Sequence, residues 1–362
     1  MTELEKARGI INEVDRQMAK LFEQRMDAVK MVAEYKKERG LQIFDPVREN
    51  EVILRNSQLV QNEEYRSYYV NFLQSNMEIS RAMQHRLLDG MRVAFSGVEG
   101  AFANIAANKI FPDAKAQAYP DFKSAYDSVV KGECDCAVLP VENSSNGDVG
   151  QVMDLAFFGS LHINGVYDID VVHNLLAVKG ACIDDVKQVI SHPQALGQCA
   201  GYIREKGFET IDAVNTAVAA KQVAENGDKS LAAIGSAEAG ERYGLKVLQS
   251  HINEKNNNTT RFAVFSRTPK EKSGNDSRFV LLFTVNNVAG SLGRAISVIG
   301  NHGFNLRALK SRPTKDLIWS YYFYAEGEGC IHSAEGEKML NELQYCCNNV
   351  RIVGNYEKEI IL

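Results

Sequence analysis

Long hydrophobic runs are missing from this 362-residue sequence. None approaches the roughly 20 apolar residues that a bilayer-crossing helix needs. The opening Met1-Thr2-Glu3-Leu4-Glu5-Lys6 also lacks the apolar core of a signal peptide. Both absences favour the cytoplasm and argue against a membrane partner. No basic block or basic-aromatic run occurs, and the net charge is -5, which argues against nucleic acid. The seven cysteines, Cys134, Cys136, Cys182, Cys199, Cys330, Cys346 and Cys347, fit neither zinc-site spacing nor a disulfide framework. Cys134-Asp135-Cys136 alternates within an expected strand, so reduced, packed thiols are expected. The G-x-G-x-x-G spacing is absent around Gly97 and Gly100, and there is no G-x-S-x-G elbow. Nothing implies a metal or a cofactor.

What is present changes texture twice. The first 90 residues hold one proline, Pro46, and three glycines, Gly9, Gly40 and Gly90. Ile11, Val14, Met18, Leu21, Arg25, Ala28, Val32 and Tyr35 recur at steps of three and four, a coiled-coil-like seam. A helix over residues 4–37 would run roughly 50 Å at 1.5 Å per residue. Gly40 ends it, Asp45-Pro46 starts a second helix, and a third over 63–89 stops at Gly90. Three such helices cannot bury their seams alone, so interlocked copies are expected. From Met91, short apolar runs alternate with glycine-rich turns and helical stretches, the pattern of an α/β fold with a largely parallel sheet. The expected strands include residues 92–95, 136–139, 187–190, 231–234 and 262–265. Residues 268–277 read as a polar linker. The remainder predicts strands at 279–285, 305–311, 318–325 and 350–356, with helices at 292–301 and 334–346. That is the split βαβ, ferredoxin-like order. Domains over 1–90, 91–268 and 277–362 follow, as the chain length leads one to expect.

Charges inside an apolar seam need a reason, because desolvating an unpaired one is costly. Arg25 lies in the first seam, and Lys36 falls on nearly the same face eleven residues later. The third helix has a seam of Leu73, Asn76, Ser80, Met83 and Leu87, with Gln84 one turn beyond Ser80. Each residue alone suits a buried structural network; together they suggest a pocket for a small dianion. Arg8, Arg25, Lys36, Asp45-Pro46-Val47-Arg48-Glu49, Ser80 and Gln84 resemble the all-helical class of chorismate mutase. The resemblance implies interlocked dimers in which Arg8 reaches the partner's pocket. It implies that Arg8 and Arg25 bind the carboxylates of chorismate and that Lys36 and Gln84 donate to the ether oxygen. Glu49 would hold the ring hydroxyl, and Ser80 would assist binding. Val52 stands where some members carry a further arginine. The chemistry suits these residue types: a Claisen rearrangement needs fixed cations and donors, not a nucleophile.

Four strands run into polar or glycine-rich loops that lead toward helices, at 96–100, 142–147, 191–194 and 235–236. Ligands of open α/β sheets sit at such strand ends. Taken singly, His192 suits a cap, and Asn143 with its serines suits a turn. Together, Pro140-Val141-Glu142-Asn143-Ser144-Ser145, Ser191-His192-Pro193-Gln194 with Gln198-Cys199, and Asn258-Thr259-Thr260-Arg261-Phe262 resemble prephenate dehydratase. The resemblance implies two α/β lobes like a small periplasmic binding protein, 91–167 with 244–267 and 168–243. It places Glu142, Asn143, Ser144, Ser191, Gln198, Thr216, Thr260 and Arg261 around prephenate, with Thr260 as hydrogen-bond donor to the departing hydroxyl. Asn143 joins it as a catalytic candidate, and a salt bridge from Arg261 to Glu142 is the competing expectation for Arg261. Val214 stands where some relatives carry an acid.

Gly290-Ser291-Leu292-Gly293 and Leu309-Lys310-Ser311-Arg312-Pro313 resemble the ACT regulatory domain of prephenate dehydratases. The resemblance implies phenylalanine as effector, bound by Gly290, Ser291, Leu292, Ser311, Arg312 and Pro313 where two such domains pair. Relatives usually carry alanine at Ser291 and glutamate at Lys310. The whole reads as a bifunctional, phenylalanine-regulated enzyme making prephenate from chorismate and phenylpyruvate from prephenate, at least a homodimer. The alternative is an amino-acid-responsive binding protein with degenerate catalytic clefts.

Overall fold

The computed structural model describes residues 2–255, 257–270, 276–314 and 320–362, which divide into two compact units. The first holds three helices. α1 (Glu3–Arg39) opens on a capping box in which Thr2 and Glu5 satisfy each other's backbone N–H groups. Gly40, at φ +62°, takes the left-handed turn that ends it. α2 (Pro46–Ser57) starts where Asp45 accepts from the Arg48 N–H at 3.0 Å. α3 (Glu63–Asp89) is capped by Asn62 and ends at Gly90. The seam read from the sequence is not the one buried within the chain. α1 buries Met26, Val29 and Ala33, against α3 with its buried Leu73 and Met77. Ile11, Val14, Met18, Leu21, Val32 and Tyr35 stay 42–62% exposed. α1 therefore carries two apolar stripes, and one of them stays exposed among the described residues.

The second unit begins with β1 (Arg92–Ser96), α4 (Phe102–Ile110), β2 (Lys115–Tyr119), α5 (Phe122–Val130), β3 (Cys136–Asn143), β4 (Gly147–Asp148), α6 (Gly150–Phe158) and β5 (His162–Asp170). A second lobe follows: β6 (Asn174–Ala177), β7 (Gln188–Ser191), α7 (Pro193–Gln198), α8 (Ala200–Lys206), β8 (Glu209–Asp212), α9 (Thr216–Asn226), β9 (Leu231–Gly235), α10 (Ala237–Arg242) and β10 (Lys246–Gln249). β11 (Thr259–Ser266) returns to the first lobe. Two expectations need correction. The sheets are mixed rather than largely parallel: β1 and β3 run parallel, but β11 lies antiparallel to both β3 and β5. The lobe boundary also falls later than expected. β10 pairs with β6 in the order β10-β6-β9-β7-β8, and Leu245 joins the core of Leu176, Ile190 and Val223. Residues 244–249 therefore belong to the second lobe. Cys134 precedes β3 instead of alternating within it, although both it and Cys136 are buried, and none of the seven cysteines forms a disulfide.

The chain closes with β12 (Arg278–Thr284), α11 (Ser291–Asn301), β13 (Asn305–Pro313), β14 (Tyr321–Glu328), α12 (Ala334–Cys346), β15 (Asn349–Tyr356) and the short β16 (Ile360–Ile361). The strand order β13-β14-β12-β15 is the ferredoxin-like one. Phe279, Leu281 and Phe283 of β12 join Ala295, Ile299, Met339 and Leu343 of the two helices in one core. The expected strand at 318–325 runs instead from Tyr321 to Glu328; residues 318 and 319 lie outside the described residues. β15 meets β5 at Gly354, where a Cβ would stand 2.6 Å from the Ile163 carbonyl oxygen. Only glycine permits that approach. The end of the expected linker is anchored: Asp276 is buried and accepts from Asn355 at 2.8 Å, while 271–275 lie outside the described residues.

Candidate active sites

In the helical unit, α1 and α3 bring the expected cation and donors together. Arg25 donates to the Asn76 carbonyl at 3.2 Å and to Ser80 Oγ. Burial lowers its pKa. Ser80 and Gln84 are both buried; Gln84 Nε2 reaches the Ser80 carbonyl at 3.4 Å, and its Oε1 has no partner among the described residues. Lys36 Nζ donates to the Ile43 carbonyl at 2.5 Å. An ammonium has further hydrogens to give a ligand. Glu49 on α2 receives Arg81 Nη1 at 2.5 Å on each oxygen, and that guanidinium lies 5.2 Å from the Phe44 ring. Arg81 was not legible in the sequence: it sits off the α3 seam, and its partner is 32 residues away. Arg8 is exposed, and α1 carries it roughly 26 Å along the axis from Arg25 at 1.5 Å per residue. It cannot serve the pocket of its own chain.

In the α/β unit the site grows from one asparagine. Asn143 ends β3, and its Oδ1 accepts from the N–H groups of Ser145 and Asn146 at 3.0 and 3.1 Å, forming the turn. Its Nδ2 then faces β11, donating to Thr260 Oγ1 at 2.9 Å and Asn258 Oδ1 at 3.0 Å. Asn258 donates to Gln198 Oε1 at 2.9 Å. Ser144 Oγ donates to the Asn257 carbonyl at 2.8 Å and accepts the Thr259 N–H at 3.0 Å, fastening the hairpin to β11. Beside this network lies a cavity of about 410 Å³, lined by Ser145, Asn146, Gln194, Gln198, Lys255 and Asn258 among others. Lys255 is the cation among its described lining residues. Sequence reasoning passed over Lys255 and gave Asn258 no separate role, since neither follows a strand in the usual strand-loop-helix pattern.

The other expected residues divide. Ser191 ends β7, fully buried, with Oγ donating to the Ile234 carbonyl at 2.6 Å. Thr216 opens α9 behind its Asn215 cap. Neither lines the cavity, nor do Asn143, Ser144 or Thr260; of the expected prephenate contacts, Gln198 does. His192 caps α7, accepting from the Gln194 N–H at 3.2 Å, as the local pattern predicted. Burial pushes the Cys199 thiol up to about 12, which removes it as a nucleophile. Glu142 and Arg261 form the salt bridge that was the competing expectation, at 3.4 Å. Thr260 pairs across the sheet with Asn143, and Arg261 with Glu142. Successive side chains of a strand point to opposite faces, so the Thr260 face and the Arg261 face differ. Arg261 instead meets Glu326 (3.2 Å), Glu359 (3.1 Å), Asp168 (3.4 Å) and Glu142 (3.4 Å). Burial opposes its charge, but these acids, Glu326 foremost, raise its pKa.

Residues 93–270 match the prephenate dehydratase family, and residues 7–85 the type II chorismate mutase family. An arogenate dehydratase/prephenate dehydratase of Arabidopsis thaliana is 32% identical over 75% of this chain and 73% of its own. The bifunctional chorismate mutase/prephenate dehydratase of Aquifex aeolicus is 28% identical over 100% of this chain and 99% of its own. This chain belongs to the bifunctional chorismate mutase/prephenate dehydratase family. It is an enzyme with both activities, a mutase and a dehydratase. Among solved structures, the prephenate dehydratase of Arthrobacter aurescens in complex with L-Phe superposes with a TM-score of 0.68. It is 25% identical, covering 74% of this chain and 90% of that one.

The residues expected to hold an effector in this chorismate mutase/prephenate dehydratase sit at two places. Gly290, at φ +82°, leads into α11; Ser291 there is buried and accepts from Arg294 at 3.2 Å, and Leu292 packs on the core. Ser311, Arg312 and Pro313 end β13, an edge strand of its sheet. Arg312 is committed elsewhere, donating to both oxygens of Asp154 on α6 at 2.8 and 3.1 Å, where Tyr322 also donates. Lys310, unusual by its charge, meets Asp148 at 2.5 Å and Glu142 at 3.1 Å. The basic residue thus has acidic partners on the hairpin that carries Asn143.

Proposed function

We propose that residues 1–90 rearrange chorismate to prephenate, that residues 91–268 turn prephenate into phenylpyruvate, and that residues 277–362 are an ACT domain responding to phenylalanine. The protein works in the cytoplasm as a homodimer or larger homo-oligomer. In the mutase pocket, Arg25 with Arg8 of a second copy binds the carboxylates, with Ser80 assisting. Lys36 and Gln84 donate to the ether oxygen as charge grows there, and Glu49, held by Arg81, takes the ring hydroxyl. Fixed donors of this kind stabilise developing charge without reorganising. In the dehydratase cleft, the bond from the ring to the carboxylate carbon breaks and that carboxylate leaves as carbon dioxide. The electron pair of that bond completes the aromatic ring and expels the hydroxyl, which leaves as water once a solvent proton is added. Gln198 and Lys255 hold the carboxylates, while Ser144, Ser191 and Thr216 shape the surrounding loops. Phenylalanine sits between Gly290-Ser291-Leu292 and Ser311-Arg312-Pro313.

One observation carries the dehydratase reading: Asn143 Nδ2 has only hydrogens to offer Thr260 Oγ1, so the Thr260 hydroxyl hydrogen is left to donate elsewhere. Wild-type protein given chorismate should yield phenylpyruvate, whereas Thr260→Val should stop at prephenate. The expected fall in dehydratase kcat is roughly 100-fold or more, the usual effect of losing one such donor. Full dehydratase turnover in the variant would remove Thr260 from the mechanism. Absence of both activities in the wild type would favour the degenerate binding protein.

A further inference from the structure

His173 is buried beside the dehydratase cleft, at 2% exposure, yet belongs to none of the motifs that mark it. Its place is fixed from both ends of its backbone. The His173 N–H donates to Asn253 Oδ1 at 2.7 Å, and its carbonyl accepts from Ile252 at 2.9 Å. Phe102 stands edge-on to the ring, with centroids 5.8 Å apart. The ring's Nε2 lies 2.9 Å from Gln198 Oε1, and its Nδ1 has no partner among the described residues.

The direction of each hydrogen bond around it follows from two backbone amides. The N–H groups of Ser145 and Asn146 can only donate, so the atom of Asn143 that meets them is its oxygen. The Asn143 amide nitrogen must then face Asn258 and give it a hydrogen, which makes the atom of Asn258 that receives it an oxygen. Asn258 therefore presents its nitrogen to Gln198, and Gln198 answers with its oxygen. His173 approaches that same oxygen, so its Nε2 carries the hydrogen and Nδ1 carries none. Burial lowers the His173 pKa and keeps this neutral form. Gln198 Nε2 is what remains: a buried amide nitrogen with no partner among the described residues, on a side chain that lines the cavity.

We propose that His173 is a positioning residue of the dehydratase. Together with Asn258 it locks the Gln198 amide so that its N–H groups face the cavity, where they bind a carboxylate of the substrate. An unlocked amide flips, and turns its oxygen toward that anion. The inference rests on the cavity being the prephenate site, and Gln198→Ala tests that separately: turnover with an unchanged KM in that variant would fail the site reading itself.

The test uses full-length protein and prephenate. His173→Phe keeps the ring and removes the donor. KM for prephenate should rise about tenfold, with kcat within about twofold, since a uniform binding contact is what weakens. An unchanged thermal melt of the dehydratase unit reports that it is folded, since the mutase helices form a separate compact unit. Gln198→Ala should raise KM as well, and adding His173→Phe to it should change nothing further, because the amide to be positioned is gone. Unchanged KM in His173→Phe, or losses that multiply in the double variant, would overturn the proposal. If His173→Phe does not fold, His173→Gln decides. Its side-chain amide can give the same hydrogen to Gln198 Oε1, so KM should stay within about twofold of the wild type; a loss as large as that of Gln198→Ala is the contrary result.

Discussion

Lys36 gives a hydrogen bond to the Ile43 carbonyl and has no carboxylate partner among the described residues. Its removal should therefore cost little structure and much chemistry. Lys36→Ala is expected to lower mutase kcat by roughly 100-fold or more, the size of effect seen when one charge-stabilising donor is lost. The melting temperature and the dehydratase rate should hold. A steady-state assay beside a thermal melt checks both, and unchanged mutase turnover would dismiss Lys36. Residues like this were legible because a charge at a seam position is conspicuous against its neighbours. Arg261 is less legible at the same scale: of the two expectations for it, the ion pair with Glu142 is present. Its motif places it next to Thr260, but the strand's period of two sends it to the other face, into acids that come from residues 142, 168, 326 and 359. A motif gives adjacency in sequence; it does not say which face a residue takes until the strand is known to begin at Thr259.

The helices of the C-terminal segment offer a test by pH. His302 follows α11, and its two ring nitrogens meet Glu335 and Glu342 of the α12 region at 2.6 and 2.8 Å. Those two hydrogen bonds raise its pKa, Glu342 contributing most. A group with a raised folded pKa stabilises most below its unfolded value, near 6.5 for histidine, and loses that contribution as pH climbs through the folded value. Melting temperature should accordingly decline on going from about pH 6 to pH 8.5, and His302→Gln should flatten that decline. Equal slopes in variant and wild type would assign the decline to other groups. Element ends were legible from sequence because caps are local: Gly40, Asp45 and Gly90 fix their helices within a turn. Strand direction was not, because β11 finds β3 across more than a hundred residues and runs antiparallel to it, with Thr260 opposite Asn143. The move of residues 244–249 into the second lobe has the same origin, a choice of partner strand that no local pattern encodes.

At the scale of the whole molecule, α1 makes the strongest demand. Leu21 is 62% exposed and Tyr35 53%, on a stripe that continues through Ile11, Val14 and Met18. An uncovered apolar stripe of that length on a helix of 37 residues favours a second copy of the same helix. Arg8 sharpens the expectation, since it is remote from its own Arg25 and its proposed role requires such an interface. Arg8→Ala and Arg25→Ala should each abolish most mutase activity while leaving the dehydratase. Coexpressed with different tags and purified through both, the two variants would form mixed dimers. Each mixed dimer carries one pocket with both lesions and one with neither, so about half of the wild-type mutase activity should return. If Arg8 served its own chain, every pocket in the mixture would keep one lesion and no activity would return. Recovery thus depends on a pocket shared between copies, and its failure in verified mixed dimers would confine the mutase site to a single chain.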